Sequence, residues 1–370
     1  MAYQALTGRP RLAYSPSLLA QDGLRRFWNN EEAAALADLR AAVAGDSANA
    51  YRWCDLGEVL HQTGQGKEAE TCMRAALIRA PGSPQIMARV AAFLFETGKT
   101  AEALALSARA LARTAGMDRA IFLSFEQFGP GVARVLAEGI GENRRAAEAY
   151  LLDQVARGKP DGATAVWAEL ERRSWVNADF AATFAHAAAS RGYWPTASAG
   201  MRFLQPSYGE TDWVFNGGFE SDLSPRAFGW RIAACPGVRI ALDRSVRDQG
   251  KSSLRLHFSM DAVGEFNHLA QTVPVTPGTY ELSARLRTES LDGDEGLRLH
   301  LIGTAPNPGV DLWTEGVNGT SGWTSVRRRF RAGESDRVLK LDLVRRAPRT
   351  HQETGGTAWV DAVRIARVAE

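Results

Sequence analysis

Apolar and polar positions follow two different rhythms along this chain. Between residues 16 and 117 the pattern is helical and repeats every 34 positions. With copies starting at Pro16, Ala50 and Pro84, the fourth position is Leu19, Trp53 and Met87, and the eighth is small: Gly23, Gly57 and Ala91. Alanine fills the twentieth place (Ala35, Ala69, Ala103) and the twenty-seventh (Ala42, Ala76, Ala110). Small residues at these points let two antiparallel helices approach closely, while Leu39, Met73 and Leu106 fill the space around them. Gly64 and Gly98 sit where a first helix must end in the left-handed region, and Pro81 stops a second helix. The period breaks after Met117, Gly129-Pro130-Gly131 interrupts a further helical stretch, and a weak offset of 34 aligns Tyr150 with Phe184 and Ala163 with Ala197. Residues 143–204 therefore read as two degenerate helix pairs continuing a solenoid.

From Thr211 the period drops to two, punctuated by Gly, Pro, Asn and Asp. The alternation predicts strands over 253–260, 269–275, 278–288, 297–302, 324–331, 337–345 and 357–368, hence an antiparallel β-sandwich, a jelly roll. Four segments follow: an N-terminal extension (1–15), a helical repeat domain (16–204), a linker (205–211) and the sandwich (212–370). The short linker predicts a fixed relation between the halves.

Charge removes one class of partner. Residues 212–370 hold 21 Lys+Arg and 20 Asp+Glu of the chain's 44 and 42, so each half is nearly neutral and the broad basic footprint of a nucleic-acid binder is missing. No stretch approaches the roughly 20 apolar residues of a membrane span. The first nine residues lack the charged and apolar regions of a signal peptide, and the chain begins abruptly, as if an earlier segment were absent. Three cysteines without a CxxC spacing give neither a disulfide framework nor a zinc site, and Cys54 and Cys72 read as small buried residues.

The helical half resembles the tetratricopeptide repeat, its middle copy matching at Trp53, Leu56, Gly57, Leu60, Ala69, Met73, Ala76 and Pro81. The resemblance implies a curved protein-binding groove, with Phe27, Tyr51, Glu58, His61, Phe95 and Glu96 on its inner face. Each of these equally suits an ordinary, partly exposed helix position. Gly64-Gln65-Gly66-Lys67 lacks the full phosphate-loop spacing and is a repeat turn.

The strand-rich half resembles jelly-roll carbohydrate-binding modules. The likeness rests on Asn216-Gly217-Gly218-Phe219-Glu220, Phe228-Gly229-Trp230, residues 250–256, Gln271 before Val273-Pro274-Val275, Pro277-Gly278-Thr279-Tyr280, Gly322-Trp323, and Trp359-Val360-Asp361-Ala362-Val363. It implies a structural calcium ion between the first and last strands, held by Glu220, Asp361 and a carbonyl near Lys251, with no other cofactor required. The same carboxylates equally suit bonds to main-chain N–H groups or arginine. Asp292-Gly293-Asp294-Glu295 lacks a calcium loop and reads as a solvated turn.

Alternation puts Arg255, His257, Arg285, Arg287, Arg298 and His300 opposite the apolar strand positions. The resemblance makes such a face a sugar cleft, and arginines suit acidic glycans because the guanidinium fork bonds planar anions. A solvated face of Arg–Glu pairs is the alternative. Trp230 and Trp313, beside Gly- or Pro-rich loops, are the candidate stacking platforms, while Trp323 and Trp359 fall at positions that the resemblance assigns to the core. No paired carboxylates, nucleophile elbow or dinucleotide fingerprint stands out, so a non-enzymatic binding protein is expected. The joined halves resemble repeat-plus-sandwich proteins of bacterial exopolysaccharide or O-antigen assembly, which implies a polysaccharide partner, a protein partner in the assembly machinery, and the periplasm. A pure protein–protein adaptor with a structural sandwich is the alternative.

Overall fold

The computed structural model describes residues 15–223, 228–259, 265–292, 295–346 and 355–369. Residues 1–14 of the extension, Met260 of the first expected strand, and Gly293 and Asp294 lie outside these. The chain forms two compact units, Met1–Trp175 and Val176–Glu370. No helix among the described residues is long and apolar enough to cross a membrane.

In the first unit the 34-residue period becomes three tetratricopeptide-like helix pairs: α1 (Pro16–Trp28) with α2 (Glu32–Gly45), α3 (Ala50–Gln62) with α4 (Gly66–Arg79), and α5 (Pro84–Glu96) with α6 (Thr100–Leu111). Each pair opens on a polar cap. The Ser15, Asn49 and Ser83 side chains accept the N–H of Leu18, Tyr51 and Ile86, meeting donors that a helix start leaves unpaired. The inter-helix turns pass through positive φ at Asn30, Gly64 and Gly98, which are 34 residues apart. Close approach explains the small eighth position: a Cβ on Gly23 would lie 2.8 Å from Leu39 Cγ. Helix α7 (Asp118–Phe128) ends on Gly129 in the left-handed region, and the short α8 (Val132–Arg134) runs into a π-helical turn, Val135–Ile140. Helices α9 (Arg144–Ala156) and α10 (Pro160–Arg172) complete the unit. Cys54 and Cys72 are free and buried, and burial pushes their thiols up to about 12 and about 11.

The second unit starts with α11 (Ala178–Ala189) and α12 (Trp194–Leu204), again 34 residues below α9 and α10. Ten strands follow: β1 (Arg231–Ile232), β2 (Val238–Asp243), β3 (Ser253–Phe258), β4 (Phe266–Pro274), β5 (Gly278–Leu291), β6 (Leu297–Gly303), β7 (Asp311–Trp313), β8 (Gly319–Ala332), β9 (Val338–Arg345) and β10 (Gly356–Arg367). They form two antiparallel five-stranded sheets, β1-β4-β9-β6-β7 and β2-β3-β10-β5-β8, in a jelly-roll sandwich. Their inward residues, among them Leu254, Leu256, Leu282, Leu299, Leu341 and Val360, make one apolar core.

The opening motif is a clasp. Asn216 and Phe219 adopt positive φ, the Asn216 side chain bonds both N and O of Ser221, and Val363 N donates to Gly217 O at 2.9 Å. Helix α12 joins the sandwich directly. Gln205 donates to Val214 O and accepts from Asn216 N, while Trp194 and Tyr208 meet Phe228 edge-on.

Asp212 lies half-buried in this junction. Burial pushes its carboxyl up to about 6, although it accepts the N–H of Val214 and faces Arg364. An acid whose folded pKa is raised contributes stability that is fully present below its unfolded pKa and lost as pH rises through the folded one. Wild type should therefore lose on the order of 2 kcal/mol relative to Asp212→Asn between pH 4 and pH 7. Urea midpoints across that range check this; a difference that does not change with pH contradicts it.

Candidate functional site

The outer face of the β2-β3-β10-β5-β8 sheet carries the strongest concentration of recognition chemistry. Register places Arg239, His257, Thr357 and Glu289 in one row across four strands, and Ala241, Arg255, Trp359 and Arg287 in the next. A cleft of about 500 Å³ opens there, lined by Arg239, Arg255, His257, Glu289, Thr357 and Trp359 among others. Trp359 is its floor, 5% exposed, with the Arg287 guanidinium 5.5 Å from its ring centroid. The indole N–H donates to Asp243 at 2.9 Å, fixing the ring's orientation. Burial opposes the Asp243 charge, but that bond, the N–H groups of Ser245 and Val246, and Arg255 hold its carboxyl below the usual range. The Arg255 side chain is half exposed, and His257 Nδ1 lies 3.1 Å from Thr357 Oγ1.

Of the eight residues expected at a sugar site, the structure gathers Arg255, His257 and Arg287 here. Arg285 lies on the same face but is locked, its fork on Asp248 at 2.9 and 3.1 Å and a third bond on Trp323 O. Arg298 and His300 are not part of this face, because β6 belongs to the other sheet. There they pair with Trp313 of β7. His300 stacks on its ring at 3.8 Å and 9°, and Arg298 and Arg346 each lie 4.8 Å from the ring centroid. Burial lowers the Arg298 pKa, and Glu295 pairs with it. Trp230 is no platform. It is 2% exposed, tilted against Phe219 in the core, and its indole donates to Asn216 O.

Sequence reasoning missed Arg239, Glu289, Thr357 and Trp359. Period two along β10 carried the signal for two of them: Ala358 and Val360 are core, so Thr357 and Trp359 must face outward.

The Glu220–Asp361 pair does not fit a calcium ion. Both Glu220 oxygens accept Lys251 N at 2.9 Å, and Asp361 accepts Asp248 N at 2.9 Å, Gln249 N at 3.0 Å and Ala362 N at 2.7 Å. The 248–252 loop thus turns N–H groups, not the Lys251 carbonyl, toward these carboxylates. A cation there would meet the positive ends of those dipoles.

In the repeat unit, α3 and α5 share an ionic surface. Arg89 bonds Glu58 at 2.7 Å and Asp55 at 2.8 Å, and His61 Nε2 lies 3.2 Å from Glu96. Burial works against the Arg89 cation, yet these carboxylates raise its pKa. Tyr51 is exposed; Phe27 is half-buried with its edge against Trp28, which is 76% exposed. Phe95 departs from the expected groove: it is 4% exposed and stacked on Phe128.

No family model matches the chain, and no curated protein matches it. Solved structures similar to the strand-rich part include a family 16 carbohydrate-binding module, at 15% identity over 42% of this chain and 100% of that one, TM-score 0.32. A CBM4 module is similar at 16% identity over 42% and 99%, TM-score 0.30. For the helical part, the pilF protein of Pseudomonas aeruginosa is similar at 18% identity over 52% and 93%, TM-score 0.31.

Proposed function

We propose that this is a non-catalytic binding protein whose sandwich takes carbohydrate in the Trp359 cleft and whose repeats hold a protein partner. The observation that carries the reading is an indole floor ringed by Arg239, Arg255, His257, Thr357 and Glu289. An aromatic floor suits the apolar face of a sugar ring, and a rim of donors orients its hydroxyl and acid groups. Arginines outnumber carboxylates in the cleft, which favours acidic glycans. Hydrolysis needs two carboxylates flanking the bond, and Glu289 is the one carboxylate among the described lining residues. The setting that fits is bacterial exopolysaccharide or O-antigen assembly or export, in the periplasm, with the exposed Trp28, Tyr51 and Leu18 of the repeats available to the machinery.

A second reading, an adaptor with a purely structural sandwich, draws support from the junction where α11 and α12 meet the opening segment. There Ala182, Met201 and Leu204 line a cavity of about 450 Å³ together with Phe215 and Phe228.

The test is binding of the full chain to an array of acidic and neutral bacterial polysaccharides. Arg255→Ala should weaken the acidic ligands by roughly tenfold or more, the effect of losing a charge-assisted bond. Binding that survives Arg255→Ala unchanged would move the site elsewhere, and no binding by wild type would favour the adaptor.

A further inference from the structure

The face that carries the cleft continues past the bulge between Asp361 and Arg364 into a stretch of different chemistry. On β8, an edge strand, Ser325 stands opposite Arg285, Arg327 opposite Ser283, Arg329 opposite Glu281 and Arg331 opposite Thr279. Ser283 is also the partner of Arg364 on β10. Period two therefore aims Arg327, Arg329 and Arg331 to one side, about 7 Å apart. All three are exposed, as is Arg364. Arg327 reaches Ser325 Oγ at 3.2 Å, Arg329 reaches Glu281 at 3.5 Å while 73% exposed, and Arg364 donates to Thr211 O at 2.9 Å. Glu281 is the carboxylate opposite Arg329, and the buried Asp361 stands opposite Arg285. At the other end the face runs through Arg287 and Arg255 to Arg239 beside Asp243 and Glu289.

We propose that Arg327, Arg329, Arg331 and Arg364 form a cationic track that holds the onward chain of a polyanionic polysaccharide when one of its residues occupies the Trp359 cleft. The proposal rests on the cleft being a sugar site and adds the class of ligand: a polymer bearing carboxylate or sulfate groups at regular intervals. Three of the four arginines follow the edge strand β8 and Arg364 lies two strands away on β10, a narrow arrangement that suits a linear chain better than a lipid surface. Charged side chains on an edge strand keep it from pairing with another chain. An unbroken alternate row of arginines goes beyond that need, and guanidinium forks match planar acid groups.

The experiment compares full-length wild type with Arg327→Gln/Arg329→Gln by calorimetry, against polyuronate and against a uronate trisaccharide, at low and moderate salt. The variant should bind polyuronate about tenfold more weakly and with a shallower salt dependence, while the trisaccharide affinity stays the same. Equal polyuronate affinity in the two proteins, or equal losses for polymer and trisaccharide, overturns the track and leaves the cleft standing. Vesicles containing phosphatidylglycerol form a third arm: loss there with polyuronate binding unchanged overturns the track in favour of a membrane. A wild type that binds neither sugar overturns the cleft and the track together.

Discussion

Gly217→Ala is expected to destabilise the strand-rich unit by more than about 4 kcal/mol, whereas Gly218→Ala next to it should cost under about 1 kcal/mol. A Cβ on Gly217 would stand 1.9 Å from Val363 O and 2.9 Å from its carbonyl carbon. Those are main-chain atoms of the closing strand, so no side-chain rotation relieves the clash. The same residue receives Val363 N on its own carbonyl, and moving apart breaks that bond. A Cβ on Gly218 meets only Glu220 Cγ, at 3.6 Å. Denaturant unfolding of both variants checks the contrast; similar midpoints for the two would mean that opening motif and closing strand do not meet as described.

Asp361→Ala should cost about 3–5 kcal/mol, the range for removing one partner from a buried charged network. The carboxylate is 0% exposed and accepts three main-chain N–H groups. Its loss strands those donors and frees Asp248, whose side chain holds Arg285. Burial pushes the Asp361 pKa up in spite of the donors, so the site tolerates rather than favours the charge. Asp361→Asn keeps an acceptor and should cost less. In wild type the melting temperature should be the same in calcium and in chelator, because the loop N–H groups already occupy these oxygens. A fall of several degrees in chelator would make Asp361 a metal ligand and reverse this account of the loop.

Much of this was legible in the sequence, for identifiable reasons. Small residues every 34 positions mark where helices touch, so α1, α3 and α5 begin at Pro16, Ala50 and Pro84, where the repeat pattern places them. Strands buried on one face announce themselves by alternation, and β3, β5 and β6 follow it. The missed strands lie at sheet edges: β1 and β7 are only two and three residues long, and β2 shows no buried position. Edge strands with half-solvated faces lack the contrast on which the pattern depends.

The site was less legible because alternation gives a side of a strand but not the sheet it joins. Arg255 and Arg298 share a pattern, yet β3 and β6 belong to different sheets. Trp230 shows the other limit. A tryptophan beside glycine has the composition of a binding loop, and only three-dimensional contact with Phe219 and Asn216 makes it core. Trp359, assigned to the core by resemblance, is buried at 5% exposed, and its place opposite Arg287 puts it on the outer side of the sheet.

The central claim is that the outer face of the β2-β3-β10-β5-β8 sheet is the ligand face. Hydrogen–deuterium exchange of the full chain with and without saturating acidic polysaccharide tests it most directly. The account predicts slower exchange across 238–243, 253–258 and 356–361, with β6 and β7 unchanged. Protection confined to β6 and β7, around Trp313, or to the repeat helices, would contradict it.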